Sequence, residues 1–160
     1  MRSAPNFLRG NMPEKLRVLP DTSVIITALN STTGASAKIL NLARRNRLLL
    51  ITTPYIISET EEVIRRKFPK LQPLFQELKS GMFLVIAEDP PLTTVKQAAR
   101  IISDLKDAPI LAAAMTHRVD YLVTLDHRDF IDDKKVAQKS QIKIVTPAAL
   151  TLLLKDRGNY

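Results

Sequence analysis

The chain has 160 residues, enough for one domain with a core of its own; 45% of it is hydrophobic but only 5% aromatic, so that core rests on Leu, Ile, Val and Ala. Cys is absent, which excludes disulfide frameworks, thiolate metal sites and cysteine nucleophiles and leaves oxygen to hold any metal; the two histidines read as loop residues. A net charge of +8, from 24 Lys and Arg against 16 Asp and Glu, favours a polyanionic partner such as nucleic acid, and the lack of a long apolar stretch leads us to expect a cytoplasmic protein without a membrane span.

In chain order, residues 1–16 are polar and aperiodic and read as an extension ahead of a domain over residues 17–155, with residues 156–160 as a tail. Val18 and Leu19 open a short first strand, and Asp21 falls where it ends. Pro20 lacks a ladder donor and is tolerable because the strand stops there. Residues 27–34 read as a polar loop. From Ala35 the spacing of Ile39, Leu40 and Ala43 predicts an amphipathic helix closing on Arg44, Arg45 and Arg47, cations where the helix dipole favours them. Leu48–Ile51 is a second strand. Thr53 before Pro54 is a helix start signal, and the helix over residues 55–67 carries Glu59 on the side of Ile56 and Val63, while Glu61 and Glu62 point elsewhere. A carboxylate on the apolar side requires a partner or a cation.

After Phe68-Pro69 a short helix spans residues 71–78, and Met82–Ala87 reads as an apolar third strand. Glu88-Asp89-Pro90-Pro91 is a turn that accounts for its own two acids. A helix over residues 94–102 leads to Asp104 and Asp107. Asp107 stands before Ala108-Pro109 as an N-cap for a helix ending near His117. Tyr121–Leu125 is a strand buried on both faces, with Asp126 at its carboxyl end. A charged loop (residues 127–141), a fifth strand (residues 142–145) and a helix (residues 147–154) complete the chain. This alternation predicts an α/β fold with a parallel sheet of about five strands and helices on both faces.

Four acids stand out for separate reasons: Asp21 and Asp126 at strand carboxyl ends, Glu59 on an inward helix face, and Asp107 at a helix amino end. They converge if the first and fourth strands are neighbours. Clustered carboxylates repel unless a divalent cation neutralises them, and an all-oxygen set suits Mg²⁺ or Mn²⁺, which binds phosphate oxygens and activates water. Thr22, Ser23 and Thr124 are placed to donate to these carboxylates and orient them. Taken singly, each acid has a plainer reading: a helix cap for Asp107, a solvated helix residue for Glu59, a loop residue for Asp126, and the same for Asp104 and Asp129. Nucleotide-binding folds lack support because no glycine-rich phosphate loop is present. An aspartyl-nucleophile phosphatase commonly has a second Asp two residues after the first, where this chain has Ser23.

The segments Val18-Leu-Pro-Asp21-Thr-Ser23, Ser58-Glu59-Thr-Glu-Glu-Val-Ile-Arg-Arg66, Asp104-Leu-Lys-Asp107-Ala-Pro-Ile-Leu-Ala-Ala-Ala114 and Asp120-Tyr-Leu-Val-Thr124-Leu-Asp126-His-Arg-Asp129-Phe130 together resemble the PIN-domain family of metal-dependent nucleases. The resemblance implies a three-layer α/β/α sandwich and a Mg²⁺ or Mn²⁺ site formed by Asp21, Glu59, Asp107 and Asp126, with Asp129 as a candidate fifth acid. It also implies hydrolysis of RNA phosphodiesters. The branch most similar is the VapC-like toxins of prokaryotic toxin–antitoxin pairs, which implies a small antitoxin as partner and a homodimer. Pro20 before the first acid and Ser23, where Asn is frequent, depart from the family pattern without removing a ligand. The alternative is a PIN-like protein of RNA maturation or ribosome assembly that binds RNA without cutting it. Candidate RNA contacts are Arg44, Arg45, Arg47, Arg65, Arg66, Lys67, Lys134 and Lys135, although a solvated face accounts for each cluster alone.

Overall fold

The computed structural model describes residues 14–158. The expected extension lies outside the described residues as far as residue 13, and so do the last two residues of the expected tail. The first strand begins at Leu16 and the last helix runs to Asp156, so each element reaches past the limits expected from the sequence.

Five strands, β1 (Leu16–Pro20), β2 (Leu48–Thr52), β3 (Leu84–Ile86), β4 (Tyr121–Val123) and β5 (Ile144–Val145), form an all-parallel sheet in the order β3-β2-β1-β4-β5. Val18 sits opposite Leu50 on one side and Tyr121 on the other, so β1 is central. Its last residue is Pro20, and the next backbone N–H, that of Asp21, donates to the Val123 carbonyl at 2.8 Å. The missing proline donor therefore costs the ladder nothing that Asp21 does not supply.

Strand order runs outward from β1 through β2 to β3, then returns to β4 on the other side of β1. Right-handed crossovers then place α1 (Thr22–Asn30), α2 (Ala35–Arg44), α3 (Pro54–Lys67) and α4 (Gln72–Lys79) on one face. The return connection, α5 (Leu92–Ala99) and α6 (Ala108–Thr116), covers the other. Contacts agree: α1 packs on α2 and α3, α5 packs on α6, and the C-terminal α8 (Pro147–Asp156) packs on α2. The three-layer α/β/α sandwich with a parallel sheet is the observed architecture. The direction of winding reverses between β1 and β4, and the crevice beyond the carboxyl ends of those two strands is where such sheets bind ligands.

Three elements differ from the sequence expectation. Residues 22–30, partly read as loop, form α1: the β-branched run is a poor helix former, but Asp21 accepts from the Thr22 N–H at 2.6 Å and Val24, Ile25 and Ile26 are buried. The charged loop after Asp126 contains a π-helical turn (His127–Ile131) and α7 (Lys134–Ser140), capped by Asp133 on the Lys135 N–H at 3.1 Å. Third, β3 is shorter and more open than an apolar run suggests. It is an edge strand, Met82 is 100% exposed, and Val85 and Ile86 are exposed because among the described residues no further strand lies beyond them.

Candidate active site

Asp21 ends β1 and caps α1, which fixes its backbone twice over. One carboxylate oxygen takes the Thr22 N–H and the other takes the Thr124 hydroxyl at 3.0 Å. Thr124 follows β4, and its hydroxyl oxygen in turn accepts from the Asp126 N–H at 3.0 Å, so a single polar chain joins the ends of the two central strands. Glu59, one turn into α3, accepts from the Thr22 hydroxyl at 2.8 Å; Thr60 donates to that same hydroxyl and to the Ile56 carbonyl. Thr22 and Thr124 thus hold the rotamers of two different acids. Ser23 does not do the same: its hydroxyl is buried without a partner among the described residues. The neighbouring Glu61 points away and accepts from Gln76 and Lys79.

Asp107 arrives from the opposite face of the sheet. It occupies the N-cap position of α6 but makes no capping hydrogen bond, contrary to expectation. The reason is local: residues 105–107 form a 3₁₀ turn, Asp104 caps that turn through the Lys106 N–H at 3.0 Å, and Asp107 already has helical backbone angles that turn its side chain away from the α6 N–H groups. Its carboxylate is left free. The structure brings Asp21, Glu59, Asp107 and Asp126 to one open cleft of about 500 Å³, lined also by Thr22, Ser23 and Lys67.

A second grouping adjoins this cleft. Asp104, Asp107 and Asp129 each offer an oxygen within 4.8 Å of the others. Asp129 is 8% exposed; its N–H donates to Asp126, and its carboxylate receives Arg128, whose guanidinium lies 3.2 Å away and is mostly in solvent. Asp107 belongs to both groups. Asp104, a plain loop residue from the sequence, is brought here by its spacing from Asp107. Residues three apart eclipse in a 3₁₀ turn and present their side chains together.

The electrostatics follow from this crowding. Burial first, then Glu59 and Asp126, push Asp21 up to about 6 from its ordinary 3.8, against the lowering effect of the Thr124 and Thr22 hydrogen bonds. Burial, then the charges of Asp21, Asp104, Asp126 and Asp129, push Asp107 up to about 7. An all-oxygen donor set that destabilises its own ionised form is what a hard divalent cation relieves, so the residues present fit Mg²⁺ or Mn²⁺.

The basic candidates divide. Lys67 lines the cleft, and Arg66 lines a groove next to it. Arg44, Arg45 and Arg47 sit where α2 turns into the amino end of β2, away from the strand carboxyl ends, and Arg44 lies over the Phe83 ring. Arg65, Lys134 and Lys135 are exposed helix residues that do not line the cleft.

The PIN-domain family model matches residues 17–128, which includes all four acids. The chain belongs to the PIN-domain family. No curated protein matches it in sequence. Among solved structures, this PIN domain is similar to VapBC2 from Rickettsia felis bound to a promoter DNA fragment: TM-score 0.64 at 15% identity, covering 82% of this chain and 98% of that one. It is also similar to PAE2754 from Pyrobaculum aerophilum, with TM-score 0.60 at 17% identity, covering 88% and 90%. A third is VapC20 from Mycobacterium tuberculosis, described as a toxin that cleaves the sarcin-ricin loop: TM-score 0.50 at 13% identity, covering 69% and 91%. At these identities the likeness is one of fold.

Proposed function

We propose that this PIN domain is a Mg²⁺- or Mn²⁺-dependent endoribonuclease and the toxin component of a toxin–antitoxin pair. The observation that carries the reading is the convergence of Asp21, Glu59, Asp107 and Asp126, from both faces of the sheet, on one cleft at the strand carboxyl ends. A bound divalent cation supplies positive charge against the scissile phosphate and lowers the pKa of an attacking water. The chain's own residues supply the rest. Thr124 and Thr22 hold Asp21 and Glu59 in fixed orientations, so the acids need little reorganisation when substrate arrives. Asp126 is held by its own turn, accepting from the Asp129 N–H. Lys67 at the cleft wall offsets the acids' repulsion of an incoming phosphodiester.

RNA as substrate is supported by the net charge of +8 together with the family. A small antitoxin as partner is supported by the similar structures titled as VapBC2 and VapC20; a homodimeric state and a cytoplasmic location belong to the same proposal, and among the described residues no helix is long and apolar enough to cross a membrane. The test is cleavage of a mixed, structured RNA with Mg²⁺ or Mn²⁺, beside EDTA and the variants Asp21→Asn and Asp126→Asn. Cleavage abolished by EDTA and by either substitution is the expected result. Intact RNA bound by wild type and variants alike contradicts the nuclease reading and favours a binding protein of RNA maturation.

A further inference from the structure

A groove of about 440 Å³ adjoins the acidic cleft and shares Glu59 and Val63 with it. One wall is a single face of α3, on which Tyr55, Glu59, Glu62 and Arg66 recur at helical spacing, with Ser58 one turn before Glu62. Lys106, from the 3₁₀ turn that delivers Asp107, forms the other wall. The two walls are tied together, since the Tyr55 hydroxyl donates to the Lys106 carbonyl at 3.2 Å, and the Tyr55 N–H donates to Asp89 at 2.9 Å. The ring is therefore anchored at both ends. Neither Glu62, Arg66 nor Lys106 has an ion-pair partner among the described residues.

The chemistry of this groove is mixed in a way that separates it from a plain phosphate track. Two cations, Arg66 and Lys106, are matched by two acids, Glu59 and Glu62. Glu59 is turned toward Thr22 and the cleft. Glu62 remains: a carboxylate repels a phosphate but accepts well from the exocyclic amino hydrogens of a base edge, whereas the N3–H of uracil is flanked by two carbonyl oxygens that a carboxylate repels, and the Ser58 hydroxyl lies one helical turn away. Tyr55 adds an aromatic surface of the kind on which single-stranded bases stack.

Resting on the nuclease reading above, we propose that this groove is the subsite for the nucleotide next to the scissile phosphate. It takes an unpaired, amino-bearing base on Tyr55 with its edge at Glu62 and Ser58, and its sugar-phosphate between Arg66 and Lys106. Uracil, which has no amino group, is the base it disfavours. A duplex is excluded, because stacking on Tyr55 requires a base out of its helix.

The experiment uses fluorescence anisotropy with the cleavage-impaired Asp107→Asn protein in Mg²⁺ and labelled ten-nucleotide RNAs of cytidine alone or uridine alone. The cytidine strand should bind about tenfold more tightly, the scale of one good base contact. Adding Glu62→Gln should erase that preference. Adding Arg66→Ala and Lys106→Ala should weaken both strands and flatten the salt dependence. Tyr55→Leu should weaken both strands, whereas Tyr55→Phe, which keeps the ring, should bind like the parent. Equal affinity of the parent for the two strands, or Glu62→Gln, Arg66→Ala, Lys106→Ala and Tyr55→Leu variants that bind like the parent, overturns the subsite and leaves the nuclease reading standing. Failure of the parent to bind either RNA likewise overturns the subsite, whereas the nuclease reading falls only if wild type leaves the mixed, structured RNA intact.

Discussion

At the amino end of the sheet, charged side chains are satisfied by backbone groups. The Arg17 N–H donates to the Asp120 carboxylate at 2.7 Å, the Asp120 N–H returns a bond to the Arg17 carbonyl, and the Arg17 guanidinium reaches the His117 carbonyl at 3.0 Å. At the carboxyl end of the same strands, Asp21, Glu59, Asp107, Asp126 and Asp129 crowd together with the cations Lys67 and Arg128 only at the margins. Both ends are built on β1 and β4, so strand geometry alone does not explain the contrast. One end is arranged to hold the fold, and the other is held in an unfavourable state by the fold. Such a concentration of like charge at a topological switch point is the mark of a site rather than of a structural device.

The comparison can be broken by exchanging single groups at the two ends. The largest effect belongs to catalysis. Asp107→Asn or Asp21→Asn should lower RNA cleavage by about a thousandfold or more, the scale seen when a group acting on the transition state is lost. In the metal-free protein the same substitutions should raise the melting temperature by a few degrees, because each removes a charge that folding penalises. Asp120→Asn, the control from the other end, should leave cleavage within a few-fold of wild type while lowering the melting temperature. Wild-type stability in the Asp21 and Asp107 variants would remove the electrostatic half of the contrast.

The pH dependence comes next. Asp21 and Asp107 titrate at about 6 and about 7 in the folded chain against an ordinary 3.8 in the unfolded one. Their protonated forms therefore favour the fold: the metal-free protein gains stability as pH falls from above 7 toward 4, and loses it as pH rises through 6 and 7. Melting temperatures measured between pH 5 and pH 8 should show this slope without a divalent cation. With saturating Mn²⁺ the slope should reverse, because a cation binds the ionised carboxylates. A flat profile in both conditions means that the acids do not interact as their positions require.

Smaller effects test the supports. Thr124→Val removes the hydroxyl linking Asp21 to Asp126 and should cost about 1–2 kcal/mol in the metal-bound protein, read by chemical denaturation. Thr22→Val should leave stability within about 1 kcal/mol and lower kcat more than it changes KM, since Glu59 remains but loses the donor that orients it.

How far the sequence led can be judged element by element. Asp21, Asp107 and Asp126 were legible as candidates because each sits at the boundary of an apolar run, and boundaries survive errors in the runs themselves; Glu59 was legible from its place on the apolar side of a helix. The alternation of elements sufficed for the parallel sheet, whereas the adjacency of β1 and β4 stood only as a condition until the strand order met it. What failed were segments whose structure depends on distant contacts. Nothing in Val24-Ile25-Ile26 favours helix over strand until those side chains find α2 and α3. The α7 segment has one buried apolar residue, Val136, and so shows no period. The exposure of β3 depends on its place at the sheet edge, which residues 82–87 do not encode. Asp107 was rightly placed at a helix start and wrongly given a capping role, because the 3₁₀ turn that frees it needs Asp104 as its own cap. The plain loop reading of Asp104 fails for the same reason.

The measurement that bears most directly on the central claim is Mn²⁺ binding followed by calorimetry at pH 7.5, on wild type, Asp107→Asn and Asp120→Asn. Wild type and Asp120→Asn should bind the ion alike, and Asp107→Asn should bind at least tenfold more weakly. Equal binding by all three, or none by wild type, would contradict the claim that the crowded acids at the carboxyl end form a metal site.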